Sequence, residues 1–333
     1  MCAASRITNK AMNEIGRRDF LKKSLAAGVL ISTAGLPAFA EDNQEDDRLK
    51  TFSGRGRFER LSLSYAHIDA GATKPFSILH ITDTHLTAAY ASEDEKKQLL
   101  HTKRTKTFGG LQEKALKDSL AWAKDNVDYI LHTGDLIDWI SEENLDLAEK
   151  YLGEETAFAV GNHEYSRYMW LEKSENTEEY KALSKSLLES RYHKEMSFAS
   201  QIVNGVNFIT LDDTYYYITE EQADLFADEV RKKLPIILCM HVPVYTPDIA
   251  AANRKFWKAG SKFEGINPAE YKYGKETDIF TEKFFDRLKK EKLLKGILSG
   301  HTHFGMEEQF SPTARQYITG PNFLFTGREI LFT

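Results

Sequence analysis

Two aspartates that follow a short apolar run are the clearest candidates for residues that carry out chemistry. The run begins at Tyr129, and after Gly134 the chain presents Asp135 and Asp138 three positions apart. Its β-forming residues predict a buried strand, and a strand that ends in Gly-Asp places a carboxylate where open α/β sheets build their sites. Such a carboxylate is a candidate metal ligand or acid–base group. Taken alone, the same spacing also fits a turn with two solvated acids.

Four further fragments share this design, in which an apolar strand is followed at once by Asp, Asn or His. They occupy residues 76–85, 156–164, 235–241 and 296–303. In chain order, the five fragments contain Asp-x-His, Gly-Asp-x-x-Asp, Gly-Asn-His-Glu, a single His, and Gly-His-x-His. Five ordered blocks of one design are very improbable by chance.

This order of motifs resembles that of the calcineurin-like metallophosphoesterases and extends from Asp83 to His303. The resemblance implies an α/β fold, a four-layer α-β-β-α sandwich of two mixed sheets flanked by helices in a single domain. It also implies two divalent metal ions at the strand ends. Imidazoles and carboxylates without thiolates suit Mn, Fe or Zn.

Seven metal ligands follow from the resemblance, position by position. Asp83, His85 and His303 would hold the first ion, Asn162, His241 and His301 would hold the second, and Asp135 would bridge them. A bridging carboxylate suits ions about 3.5–4 Å apart, the spacing of two-metal phosphoryl-transfer sites.

His163 directly follows a predicted ligand but is not itself a ligand in the family pattern. It is the predicted general acid, and Asp138 would orient its ring and raise its pKa. Two cations would lower the pKa of a shared water to roughly 7, so that a metal-bound hydroxide attacks phosphorus. Glu164 would support the ligands from behind. Purple acid phosphatases resemble this pattern but have a tyrosine where Asp138 stands, so a tyrosinate–ferric centre is not expected.

The remaining histidines lie outside the motif positions, and we predict structural roles for them. They are His67, His80, His101, His132 and His193. His80 and His132 are each expected inside a strand.

Substrate contacts are predicted near the motifs. Residues 86–110 include several lysines and Arg104, and we predict either a solvated loop or a basic lip beside the site. Residues 243–275 include Tyr245 among aromatic residues and lysines, and we predict a long loop for which substrate contact and structural cover both remain open. The predicted substrate-binding residues are Arg104, Arg167 and Tyr245.

Helix and strand signals alternate along the chain and predict strand–helix–strand units. The Asn204-Gly205 pair between two apolar runs predicts a hairpin, and Thr219 with Gln222 predicts a capping box that starts a helix through Lys233. Further helices are predicted over residues 116–127, 141–152, 172–190 (outside the core) and 280–288, and strands over 61–65, 306–310, 315–319 and 330–333.

Residues 1–40 resemble a twin-arginine export signal. Arg17-Arg18 precede an apolar stretch over 25–36, and Ala38-x-Ala40 is a small-residue cleavage site. The predicted organisation is a signal peptide over 1–40, a flexible leader over 41–55 and the metallophosphoesterase domain over 56–333. An ordinary N-terminal helix is the alternative, and Met12 is an alternative start. Cys2 is not in a lipoprotein cleavage context.

Charge and composition limit the classes of function. Cleavage after Ala40 removes six of 44 basic and two of 50 acidic residues, which leaves 38 and 48 and a net charge of −10. An acidic surface disfavours nonspecific nucleic-acid binding, which depends on phosphate neutralisation. The chain has two cysteines, too few for a disulfide scaffold. No segment after residue 40 is apolar for long enough to span a bilayer.

These observations predict a periplasmic or otherwise exported two-metal phosphoesterase that hydrolyses small phosphomonoesters or phosphodiesters. An exported nuclease or nucleotide phosphodiesterase is an alternative. A noncatalytic interaction module on the same fold is a second alternative, although such a module is expected to lack ligands, and all seven are present here. The sequence leaves the natural substrate, the native metals and the oligomeric state open.

Overall fold

The computed structural model describes residues 60–153, 156–169, 177–257, 265–266 and 276–333. All of them belong to one compact unit. The predicted signal peptide and leader lie outside the described residues, so the predicted domain boundaries stay predictions. Within the described ranges, every helix is too short or too polar to cross a membrane.

The first sheet has five strands in the order β1-β11-β2-β3-β4. Their bounds are Ser62–Ile68, Thr326–Phe332, Phe76–Ile81, Tyr129–His132 and Thr156–Phe158 in that order. Strands β2, β3 and β4 run parallel, whereas β11 is parallel to β1 and antiparallel to β2. The strand furthest along the chain therefore lies between the two earliest ones.

The second sheet has six strands in the order β5-β6-β7-β8-β10-β9. Their bounds are Phe198–Val203, Val206–Leu211, Ile236–Cys239, Leu294–Ser299, Arg315–Ile318 and Met306–Gln309 in that order. Strands β6, β7, β8 and β10 run parallel, with one antiparallel strand at each edge. Both sheets are mixed, as predicted.

Seven α-helices lie within the described ranges. They are α1 (Glu95–Phe108), α2 (Gln112–Asn126), α3 (Glu142–Tyr151), α4 (Glu178–Tyr192), α5 (Glu220–Arg231), α6 (Pro247–Trp257) and α7 (Glu276–Leu288). Ser141 caps α3 by accepting a hydrogen bond from Asn144 N–H at 3.1 Å. The predicted capping box of α5 and the predicted hairpin between β5 and β6 are also confirmed.

Three apolar layers hold the sandwich together. One layer packs α2, α3 and α4 against the first sheet, one packs α5 and α7 against the second sheet, and one lies between the sheets. Alternation along β2 sends Phe76 and Ile78 into the layer between the sheets, and Leu79 and Ile81 into the helix-facing layer. Because both faces are buried, β2 has an almost continuous apolar sequence. The predicted α-β-β-α architecture is confirmed.

The prediction of a loop throughout residues 86–110 is wrong, because α1 occupies most of that stretch. Asp94 caps its first turn by accepting from Lys97 N–H at 3.0 Å, and Gly109 ends it in the left-handed region with φ of 88°. Only Leu100 and Phe108 of this helix are buried. A helix with two widely separated buried side chains has no apolar periodicity to detect.

Two other expectations about helices also need correction. The predicted loop over residues 243–275 contains α6, and residues 258–264 and 267–275 lie outside the described residues. The polar helix expected outside the core is α4, whose Leu188 and Tyr192 are part of the core beneath the first sheet. Charged residues on the outer face of α4 make its overall composition polar, so the composition does not reveal its buried side.

Candidate metal centre

The five motif fragments follow β2, β3, β4, β7 and β8, and the structure brings their side chains together. Three groups of potential ligand atoms, each within 4.8 Å of one another, lie here, and two of them consist of predicted metal ligands. The first comprises Asp83, His85, Asp135 and His303, and the second comprises Asp135, His241 and His301. Asp135 is common to both groups, as a bridging ligand requires.

The first group converges on one point. His85 Nε2 lies 3.0 Å from His303 Nε2, and His303 Nε2 lies 3.2 Å from Asp83 Oδ1. Asp83 Oδ1 is buried and accepts no hydrogen bond from the described residues. A buried carboxylate oxygen without a donor is costly unless a cation lies beside it. These three side chains therefore fit one divalent ion.

The second group has the same features. His241 Nε2 lies 3.2 Å from His301 Nδ1. Asn162 Oδ1, in the turn after β4, is a second buried oxygen without a hydrogen-bond donor among the described residues. An amide oxygen and two imidazole nitrogens fit a second divalent ion.

Asp135 lies between the two groups. Its Oδ2 is 3.6 Å from His85 Nε2 and 3.2 Å from His241 Nε2. Its Oδ1 accepts a hydrogen bond from the His163 backbone N–H at 2.9 Å. One oxygen is thus held by the backbone, while the other faces a candidate ligand of each ion.

The hydrogen bonds of the second ring nitrogens fix the imidazole tautomers. His85 Nδ1 donates to Asp138 Oδ1 at 2.9 Å, and His241 Nδ1 donates to the Thr133 carbonyl at 2.7 Å. A carboxylate and a carbonyl can only accept, so in the neutral form of each ring the lone pair is on Nε2, where an ion can bind. His301 is reversed, because its Nε2 lies 3.0 Å from the Tyr216 hydroxyl and its Nδ1 faces His241.

Five of the seven predicted ligands have positive φ angles, which are uncommon for residues other than glycine. They are Asp83 (51°), His85 (51°), Asp135 (55°), His301 (67°) and His303 (57°). These left-handed residues turn the backbone directly after β2, β3 and β8, so that the side chains at these strand ends point to one place. Backbone strain of this kind persists where the surrounding structure enforces it, often at functional sites.

Two motif glycines allow the loops after β3 and β4 to touch. A Cβ on Gly134, whose φ is 90°, would lie 2.5 Å from the Gly161 nitrogen. A Cβ on Gly161 would lie 2.2 Å from Asp135 Oδ1. A side chain at Gly134 would therefore push the two loops apart, and one at Gly161 would displace the Asp135 carboxylate.

The Glu164 carboxylate connects the same two loops through hydrogen bonds to their backbones. Its fully buried carboxylate accepts hydrogen bonds from the backbone N–H groups of Asp135 at 2.8 Å, Leu136 at 2.6 Å and Gly161 at 2.7 Å. The carboxylate therefore acts as a clamp on the backbone that carries Asp135.

The electrostatic environment favours cation binding. Burial and the neighbouring His163 lower the pKa of His85 to about 4, and burial and His241 lower the pKa of His301 to about 3. Burial alone would raise the pKa of Asp135, but the surrounding imidazoles hold it well below its usual range. At neutral pH, the neutral rings of His85 and His301 thus lie near an ionised Asp135 carboxylate.

His241 differs from the other candidate ligands. Burial alone would lower its pKa, but the Asp135 carboxylate outweighs burial and raises the pKa to about 10. Without an ion, this ring would carry a proton at neutral pH. Binding of a cation at His241 must therefore displace that proton, and metal affinity should rise with pH.

His163 and Asp138 form the predicted pair beside the metal ligands. His163 Nδ1 lies 2.9 Å from both Asp138 Oδ1 and the Asp138 backbone carbonyl, so it donates to this residue. His163 Nε2 is then directed toward the site and lies 3.9 Å from Asp135 Oδ2. Burial would lower the pKa of His163, but the Asp135 and Asp138 carboxylates raise it above its ordinary value.

The three predicted substrate contacts have different surroundings. Arg104 on α1 donates from Nε to Asp138 Oδ2 at 2.7 Å. The Arg167 guanidinium lies 5.9 Å from the Tyr168 ring and 5.7 Å from the Tyr180 ring. Tyr245 donates its backbone N–H to the Ile266 carbonyl at 3.2 Å. Of the three, the geometry connects Arg104 with the cluster.

Sequence reasoning missed two residues that hold the second group. Asp213 is buried, and its Oδ1 accepts from the His241 backbone N–H at 3.1 Å while its Oδ2 accepts from Val242 N–H at 3.0 Å. Tyr216 is the partner of His301. The signal for Asp213 was present, because Asp212-Asp213 directly follow the apolar strand β6, as in the five motif fragments.

A family model described as calcineurin-like phosphoesterase matches residues 76–305. The chain belongs to this family. The matched range contains the five motif fragments, from Asp83 to His303. The calcineurin-like family is dinuclear and metal-dependent, in agreement with the paired groups that share Asp135. A comparison with curated proteins found no match.

Several solved structures are similar to this calcineurin-like chain. A dimetal phosphatase from Danio rerio is 14% identical with a TM-score of 0.42, and the match covers 74% of this chain and 88% of that one. A putative 5'-nucleotidase from Staphylococcus aureus is 12% identical with a TM-score of 0.40, covering 75% and 49%. A purple acid phosphatase from yellow lupin seeds is 12% identical with a TM-score of 0.42, covering 74% and 44%. The chain thus spans about half the length of the latter two.

Proposed function

We propose that this chain is an exported two-metal phosphoesterase that hydrolyses small phosphomonoesters or phosphodiesters. The observation that carries the proposal is the position of Asp135, whose Oδ2 lies 3.6 Å from His85 Nε2 and 3.2 Å from His241 Nε2. The buried oxygens of Asp83 and Asn162 that have no donor among the described residues support the same proposal, because a nearby cation would offset the cost of burying them. Asp83, His85 and His303 would hold one ion, and Asn162, His241 and His301 the other.

Two divalent ions, when bound, would supply an activated water and polarise the phosphoryl oxygens. The side chains of the protein would orient the reacting groups and supply the proton for the leaving group. Asp138 holds His163 through Nδ1, and His163 Nε2 is the proposed donor of a proton to the departing alkoxide. The Asp135 and Asp138 carboxylates raise the pKa of His163 above its ordinary value, which favours the protonated form that a general acid needs.

Asp135→Asn tests the two-metal proposal. The amide lacks the negative charge that a bridging ligand supplies, so both ions and all phosphoesterase activity should be lost together. Metal analysis after Mn reconstitution should find about two ions per chain in the unmodified protein. Asp118→Asn is the matched control, since Asp118 pairs with Lys114 on an exposed helix face. Full activity of Asp135→Asn in a chelator would refute the proposal.

The ester class requires a substrate panel. p-Nitrophenyl phosphate and bis-p-nitrophenyl phosphate, assayed with Mn, Fe or Zn, separate monoester from diester hydrolysis. Oligonucleotides in the same panel test the nuclease alternative, for which the net charge of −10 of the predicted mature chain is unfavourable. Arg167 and Tyr245 remain candidate contacts for the substrate.

Export is the part of the proposal that depends on residues 1–40. Replacing Arg17 and Arg18 together with lysine should retain uncleaved precursor in the cytoplasm. Precursor and product are distinguished by the mass lost on cleavage after Ala40. Unchanged export of the double variant would refute the twin-arginine route.

A further inference from the structure

The Asp138 carboxylate is shared by three partners, although its side chain is fully buried. Its Oδ1 accepts from His85 Nδ1 at 2.9 Å, from His163 Nδ1 at 2.9 Å and from Arg104 Nη2 at 3.1 Å. Its Oδ2 accepts from Arg104 Nε at 2.7 Å. One carboxylate thus contacts both a candidate metal ligand and the candidate general acid.

The two imidazoles use the same oxygen of Asp138. Rotation of the carboxylate about its last torsion has a broad, roughly two-fold profile, so this arrangement is not fixed by Asp138 itself. The planar fork of Arg104 binds Oδ2 through Nε and reaches Oδ1 through Nη2, and this pairing is geometrically specific. Without the fork, Oδ2 would lose a strong donor, and the carboxylate could turn to give each imidazole a separate oxygen.

Helix α1 holds the fork in place. The Arg104 guanidinium lies 4.9 Å from the ring of Phe108, one turn further along the helix. The Phe108 ring in turn stacks on the His85 ring, with centroids 4.6 Å apart and an interplanar angle of 13°. Helix α1 therefore acts on His85 in two ways. Phe108 packs on the face of the His85 ring, and Arg104 binds Asp138, the residue that accepts the hydrogen bond from His85 Nδ1.

We infer that Arg104 is a positioning residue that orients the Asp138 carboxylate and, through it, both His85 and His163. This inference rests on the proposed function, in which His85 binds a metal and His163 donates a proton. It replaces the expectation that Arg104 binds substrate. The Arg104 side chain is only 18% exposed, and its fork already occupies both oxygens of a fully buried carboxylate.

Kinetics of Arg104→Ala and Arg104→Lys separate the two roles. A positioning role predicts that kcat falls about 10- to 100-fold while KM changes little, because partners behind the ligands act on geometry. Lysine keeps the charge but lacks the fork, so Arg104→Lys should remain impaired. Added guanidinium should restore part of the activity of Arg104→Ala, and should leave Arg104→Lys unchanged. A rise in KM with kcat retained would overturn the inference in favour of substrate contact.

Histidine resonances provide a readout that does not require activity. In metal-free protein labelled with nitrogen-15 histidine, the ring nitrogens of His85 and His163 should shift in Arg104→Lys. The exposed His193 ring should not shift. Arg191→Lys is the matched control, because Arg191 binds Asp146 and Glu149 at the surface between α3 and α4. Unchanged His85 and His163 resonances would overturn the inference.

The two proposals fail in different ways. If unmodified protein binds no metal and hydrolyses no ester, the proposed function fails, whereas the resonance experiment still tests the orientation of Asp138. If unmodified protein is active and both Arg104 variants match it in kcat and KM, the inference about Arg104 fails alone. Circular dichroism of each variant verifies that the fold is retained.

Discussion

One hydrogen bond joins His163 to Asp135, yet we expect their side chains to have different roles, proton donation and metal binding. The backbone N–H of His163 donates a hydrogen bond to Asp135 Oδ1. The imidazole ring of His163 contacts Asp138 instead. Truncation of the ring leaves that backbone bond in place. The contribution of the imidazole to turnover can therefore be measured without removing the ions.

His163→Ala should retain both ions and lose turnover by about 10²- to 10⁴-fold, the usual contribution of a general acid. The loss should be severe for alkyl esters and mild for nitrophenyl esters, because nitrophenolate departs without a proton. Steady-state kinetics with one ester of each kind, together with metal analysis, make the measurement. His193→Ala, at an exposed position, is the control. Equal losses on both esters with metals retained would instead favour a positioning or charge-stabilising role.

The pH dependence of turnover should show an alkaline limb controlled by Asp138. Burial lowers the pKa of His163, but the Asp135 and Asp138 carboxylates raise it above the ordinary value. A general acid works in its protonated form, so activity is present below this pKa and is lost as the pH rises through it. Asp138→Asn removes one of the two carboxylates and should move the alkaline limb to lower pH. The profile of kcat on an alkyl ester tests this, and an unmoved limb at full metal content would contradict it.

At this scale, the sequence predicted the histidines and aspartates that lie in the five motif fragments. These candidate ligands form the two groups that the motifs indicated, with Asp135 common to both. Tyr216 and Asp213 could not be assigned from type, because tyrosines and aspartates are frequent in loops. Arg104 was noticed for its charge, but its partner Asp138 is 34 residues away, and the pairing exists only once α1 is formed.

Among the elements, helix α5 has a start encoded entirely by local sequence. Thr219 Oγ1 accepts from Gln222 N–H at 3.2 Å, and Gln222 Oε1 accepts from Thr219 N–H at 2.9 Å. Gln222 Nε2 also donates to the Asp212 carbonyl at 2.8 Å, which joins the helix to the end of β6. The capping box thus fixes the helix beside the segment that carries Asp213 and Tyr216.

Thr219→Ala should lower the free energy of unfolding by about 1 kcal/mol, the typical cost of losing an N-cap side chain. Thr219→Ser keeps the hydroxyl and should lose little. Urea denaturation should show a lower midpoint for the alanine variant with an unchanged slope. Equal midpoints for the alanine and serine variants would contradict the assignment of the cap.

Elements with local signals were predicted well, and elements stabilised by distant contacts were not. The hairpin has its Asn-Gly turn and α3 has its Ser141 cap, so both were evident in the sequence. Helix α1 has a cap at Asp94 and ends at Gly109, but it packs on the site through contacts of its Arg104 and Phe108 with Asp138 and His85. Asp138 and His85 lie in other parts of the chain, and the sequence of α1 has no apolar periodicity that would predict these contacts.

For the whole molecule, Phe332 links the two sheets. It lies on β11 of the first sheet and is fully buried between the layers. Its ring stacks on Phe76 with centroids 4.9 Å apart and meets Phe208 of the second sheet edge-on at 5.2 Å. A single ring therefore connects β11, β2 and β6.

Phe332→Ala should destabilise the fold by about 3–5 kcal/mol, the range for removing a fully buried aromatic ring. Phe332→Leu keeps much of the apolar volume and should cost less. Denaturant unfolding of both variants, monitored by tryptophan fluorescence, gives the comparison. A loss below 1 kcal/mol for Phe332→Ala would show that the layer between the sheets does not depend on this ring.

The position of β11 also has a consequence for protein synthesis. Ser64 on β1 and Gly327 on β11 are hydrogen-bonded partners 263 residues apart, and β11 also pairs with β2. At about 5–20 residues per second, a ribosome would make β11 on the order of 10–50 s after β1. Throughout that interval, β1 has no neighbour and β2 presents an open edge, the kind of surface on which chains aggregate. We therefore expect the nascent chain to require a chaperone that covers these two strands until the ribosome has released β11.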